Sequence, residues 1–65
     1  MTPYDLLLWR ERLGLLQREA ADQLGISRRQ FCRLETKGPI SGPIELACAE
    51  IERRIMLEKA RKKRR

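Results

Sequence analysis

The sequence contains no histidine. That removes the usual general acid–base side chain and the common Cys/His zinc frameworks. Its two cysteines, Cys32 and Cys48, are too few for a disulfide scaffold and read as reduced thiols of a cytoplasmic protein. There is no apolar run long enough to cross a bilayer, so no membrane partner is expected. No basic segment precedes an apolar run near the start, so no export signal is expected either. Aromatics are scarce. Tyr4, Trp9 and Phe31 stand at helical spacing that suggests core or core edge, and they form no stacking platform for single strands. With 65 residues, one domain is expected, and its small core leaves no room for an enclosed active site. Metal-ligand spacing and a phosphate-cradling glycine loop are also absent, so neither an enzyme nor a cofactor is expected.

What is present is basic charge, unevenly placed. The formal net charge is +6. Residues 59–65 hold six basic side chains, from Lys59 to Arg65, while residues 1–58 sum to zero. Global basicity therefore belongs to the tail. Within the neutral body, residues 27–37 carry Arg28, Arg29, Arg33 and Lys37 against Glu35 alone. This local excess on one segment is the sharper sign of a nucleic-acid face. The expected division is a helical domain over 1–58 and a disordered basic tail over 59–65. The tail reads equally well as a phosphate-tracking arm or as a solubilising end.

Apolar periodicity predicts four helices and no strand. Thr2-Pro3-Tyr4-Asp5 reads as a capped start, and Leu6, Trp9 and Leu13 recur at steps of three and four, giving a helix over residues 3–13. Leu7 and Leu8 widen its stripe. A second helix is expected from Gln17 to Leu24, with Ala20, Ala21 and Leu24 inward, although Leu16 stands where a capping Ser or Thr is usual. Gly25 suits a sharp turn that needs positive φ. Ser27-Arg28-Arg29-Gln30 is a capping box, which starts a third helix at Arg28 that ends near Thr36, before Lys37-Gly38-Pro39. The GPISGP loop then leads to a fourth helix capped by Ser41 or Gly42, with Ile44, Ala47, Cys48, Ile51 and Ile55 on one stripe.

The stretch QREAADQLGISRRQFCRL, residues 17–34, spaces Ala21, Gly25, Ile26, Phe31 and Leu34 as two helices crossing at a tight turn require. In register, and flanked by WRERLGLL before and Glu35 after, it resembles the phage-repressor type of helix-turn-helix, the Cro/C1 or XRE-like family. The likeness covers about Leu6 to Pro43. It implies an all-α, lambda-repressor-like four-helix domain whose third helix enters the DNA major groove.

Several roles follow from that resemblance. Arg28, Arg29 and Arg33 fall at base-reading positions, and arginine can bond guanine O6 and N7 with both arms. With Phe31 inward, the helical step puts Arg29, Cys32, Arg33 and Thr36 outward. Gln17 resembles the side chain that grips a phosphate and braces the recognition helix; Ser27, Gln30, Lys37 and Ser41 are the other backbone-contact candidates. Arg10 and Glu35 occupy the positions of a partly buried ion pair. Ile51, Ile55, Met56 and Leu57 are expected to form an uncovered patch that holds a homodimer. The implied function is a cytoplasmic, dimeric repressor of phage or mobile-element type that binds a palindromic double-stranded operator. The alternative is an antitoxin-type module that binds a small protein partner, with DNA binding secondary.

Overall fold

The computed structural model describes residues 1–63. It is all-α, with α1 over Pro3–Arg12, α2 over Gln17–Leu24, α3 over Arg28–Thr36 and α4 over Gly42–Lys63. Each boundary has a local cause. Before α1, the Thr2 hydroxyl accepts from the Asp5 backbone N–H at 3.1 Å, and the Asp5 carboxylate accepts from the Thr2 N–H at 3.0 Å. Those bonds hold the Asp5 carboxyl below its ordinary range, the backbone donor of Thr2 contributing most. Ser27 and Gln30 repeat the arrangement before α3, at 3.1 Å in both directions. Ser41 opens α4, its hydroxyl accepting from the Ile44 N–H at 3.4 Å. Gly25 ends α2 at φ 74°, and its N–H returns to the carbonyls of Ala21 and Asp22. That left-handed geometry is what makes the α2–α3 turn short.

The start of α2 is the exception. Leu16 has extended backbone suited to a cap but no side-chain oxygen, and only Glu19 contributes, accepting from the Leu16 N–H at 2.8 Å. Burial does not compensate, since Leu16 is 57% exposed. Leu16→Ser is therefore expected to stabilise the domain by ~1 kcal/mol, raising the melting temperature by roughly 4–8 °C. A thermal melt that moves down or not at all would show that Leu16 has a contact role the cap argument ignores.

The core is built from Leu6, Trp9 and Leu13 of α1 and its end, Ala20 and Ala21 of α2, Phe31 of α3, and Cys48 and Ile51 of α4. Ala20 and Ala21 are 0% and 1% exposed, which is why small side chains stand there: α2 packs closely on α3 and α4. Trp9 is buried with its indole N–H donating to the Cys48 carbonyl at 3.0 Å, satisfying the one polar atom it takes inside. Burial pushes the Cys48 thiol up to about 11, so it remains a neutral core residue.

Four expectations need correction. Tyr4 is 65% exposed, because it lies on the side of α1 opposite Leu6 and Trp9. The first helix closes at Arg12, with Leu13 as its cap. Ile51, expected at a dimer surface, is 2% exposed and belongs to the core; Ile55 is half-buried against it. The stripe of Ile44, Cys48, Ile51 and Ile55 points one way, whereas Leu57 lies about 180° from Cys48 and stays out. Finally, α4 does not stop at the tail but continues as helix to Lys63. The expected disorder over 59–65 is thus replaced by helix as far as Lys63, and residues 64–65 lie outside the described residues.

Candidate nucleic-acid interface

The α2–turn–α3 unit presents a basic outer face and a tightly held inner one. Phe31, fully buried, fixes the inward direction of α3, and Leu34 packs beside it. Arg28, Arg29 and Arg33 are all exposed, Arg28 at the first position of the helix and the other two along its outer side. Lys37 closes the helix, exposed, and Ser41 lies exposed at the opening of α4.

Behind this face, four side chains from three helices form one network. The Arg10 Nε donates to Glu35 Oε2 at 2.6 Å, with side-chain exposures of 16% and 8%. A second guanidinium nitrogen of Arg10 donates to the Leu15 carbonyl at 3.0 Å, which ties the α1–α2 link to the same centre. Gln17 donates from Nε2 to the other Glu35 oxygen at 2.8 Å, and its Oε1 accepts from the Cys32 thiol at 3.3 Å. Each Glu35 oxygen thereby has a donor, and α3 is held to both α1 and α2. Gln17 thereby joins the start of α2 to the end of α3.

Cys32 departs from expectation. It lies about 100° from Phe31, on a flank of α3 instead of the outer face, and α2 crosses on that flank. The thiol is half-buried against Gln17 and is not part of the exposed arginine surface. Thr36 remains exposed, with its hydroxyl donating back to the Cys32 carbonyl at 2.8 Å. Ser27 and Gln30 are exposed, although their side chains already serve the α3 cap.

A shallow cleft of about 390 Å³ opens where α2 begins, lined by Arg10, Leu16, Gln17, Arg18 and Arg28. Arg18 is the residue that the sequence pattern missed. Its only signal was its place in the first turn of α2, next to Gln17. The cleft joins Arg28 of α3 to the uncapped start of α2, where backbone N–H groups favour an anion. The Arg12–Glu52 ion pair at 2.7 Å, which links α1 to α4, was also not foreseen. Among the described residues no group of three or more Cys, Asp or Glu side chains is placed to hold a metal, and no helix is long and apolar enough to cross a membrane. Comparisons with protein-family models, curated proteins and solved structures returned no match.

Proposed function

We propose that this chain is a sequence-specific, double-stranded DNA-binding regulator that inserts α3 into the major groove. The observation that carries the reading is a helix exposed along Arg28, Arg29 and Arg33 whose back is fixed by Phe31 and by the Arg10–Glu35–Gln17 network. A firmly held helix that carries a row of arginines suits base-edge recognition, because bidentate bonding to guanine depends on where each side chain starts. The cleft of Arg18, Arg28 and Gln17 beside it suits a backbone phosphate. We assign the chain a role as a repressor, which acts by occupying its operator. It would work in the cytoplasm, as a homodimer on an inverted repeat, without a cofactor.

The test is selection from a randomised duplex library at near-physiological salt, followed by sequencing. A palindromic consensus with guanine in each half-site is expected. Measurable binding that enriches no sequence would reduce the arginines to phosphate contacts. The antitoxin-type alternative would then take precedence; it is favoured by the exposed Leu46 and Leu57 on α4, which offer a protein partner an apolar face.

A further inference from the structure

A second cleft, of about 330 Å³, lies on the flank of α3 away from α2. Its walls are apolar: Ile26 of the α2–α3 turn, Leu34 of α3, Pro39 of the following loop and Ile44 of α4. Gly38 stands at its corner with φ 63°, tight against Pro3 of α1, and that turn carries α4 back beside the α3 flank. With Phe31 inward and about 100° per residue, Gln30 and Leu34 fall opposite Cys32, and Arg33 lies between that flank and the outer face. Arg33 therefore belongs to two surfaces at once, the cleft and the row of exposed arginines.

The polar side chains of the cleft are donors. Gln30 Oε1 is engaged by the Ser27 N–H at 3.1 Å, which leaves its Nε2 to donate. Arg33 makes no ion pair among the described residues. No carboxylate among the described residues lines the cleft. The acidic side chains nearest in sequence are engaged elsewhere: Glu35 accepts from Arg10 and Gln17, and Glu45 pairs with the N-terminal amine at 3.4 Å. Lys37, exposed, follows one turn after Arg33 and adds positive charge to the same flank. Apolar walls, two side-chain donors and an uncompensated cation match one ligand chemistry, a small monocarboxylic acid with an apolar body. A neutral apolar molecule gains nothing from the guanidinium, and a bare inorganic anion leaves the walls uncovered.

We propose that this cleft is an effector site for such an acid, whose carboxylate draws Arg33 off the outer face of α3. The apolar body lies between Leu34 and Ile44, while the carboxylate accepts from Arg33 and from Gln30 Nε2. Arg33 is one of the arginines assigned above to base readout, and one guanidinium cannot serve guanine and the acid together. Acid and operator thus compete, and each lowers the affinity for the other by the same factor. Release from DNA then needs no separate ligand domain. The control rests on the DNA reading above, whereas the site itself stands apart from it.

Titrating octanoate or phenylpropionate into the isotope-labelled full chain, without DNA, should move the backbone amide resonances of Ile26, Gln30, Leu34, Gly38 and Ile44 to saturation. The corresponding alcohols, which lack the charge, and acetate, which lacks the apolar body, should bind about tenfold or more weakly. Arg33→Gln should weaken octanoate by about tenfold or more and leave octanol unchanged. Saturating octanoate should weaken binding to the selected duplex by roughly fivefold or more, and acetate at the same concentration should not. No saturable shift with either acid, equal binding of acid and alcohol, or shifts centred on the basic end of α4 would each overturn the site. Cleft shifts that track protein concentration with no acid added would give the cleft to a second copy of the chain. A bound acid that leaves duplex affinity unchanged overturns the control. Saturable cleft shifts in a chain that enriches no duplex remove the DNA reading and keep the acid site. An enriched duplex with silent cleft amides removes the acid site alone.

Discussion

Glu35→Ala is expected to destabilise the domain by about 3 kcal/mol, because it leaves the partly buried Arg10 and the Gln17 amide without their shared acceptor. For a domain of this size that corresponds to a fall in melting temperature of roughly 12–24 °C. The loss is large against a total stability on the order of 3–10 kcal/mol. Arg10→Ala should cost a comparable amount, since it removes the ion pair and the Leu15 contact while leaving the Glu35–Gln17 bond intact. The double variant should lose less than the sum of the two, as expected for side chains that share one interaction. Arg18→Ala is the control, an exposed arginine that makes no ion pair among the described residues. A Glu35→Ala shift no larger than that of Arg18→Ala would mean that the network holds nothing, and that packing around Phe31 alone sets α3.

Arg29→Ala and Arg33→Ala should act in the opposite manner, with intact folding and altered binding. Both side chains are exposed and make no intramolecular ion pair among the described residues, so the melt should barely move. Binding to the selected duplex should weaken by about 1–3 kcal/mol for each, or roughly 5- to 150-fold, with the preference relaxed at one base pair per half-site. Binding to random duplex should fall much less. Equal losses on the two duplexes would assign both arginines to phosphate and would move base readout elsewhere on α3. Measuring them beside Glu35→Ala separates the surface that reads from the scaffold that aims it.

How much of this was legible in the chain depends on the range of the interaction. The starts of α1 and α3 were readable because a capping box needs only partners three residues apart, as in Thr2 with Asp5 and Ser27 with Gln30. Gly25 was readable because positive φ has an unambiguous sequence cost for any other residue. Cys32 was misplaced because helical angle alone does not say on which flank α2 crosses, and Gln17 lies there. Ile51 was misplaced for a related reason. Its position on the inward stripe was plain, yet whether neighbouring helices could cover it depended on how closely Ala20 and Ala21 let α4 approach. The Arg10–Glu35 pair was expected from resemblance, not from any pattern in the chain itself.

By itself, then, the sequence determined four helices, the tight turn between α2 and α3, and a row of arginines on α3, since each depends on dihedral preference, capping or periodicity within a few residues. Tertiary structure alone decided that Gln17 and Cys32 join the Arg10–Glu35 pair, that Arg12 meets Glu52, and that Arg18 shares a cleft with Arg28. It also decided which apolar side chains of α4 are consumed by the core and which remain outside. These contacts connect different helices, with partners as many as 40 positions apart in the chain. Local propensity carries no information about them, because they exist only once the helices have packed.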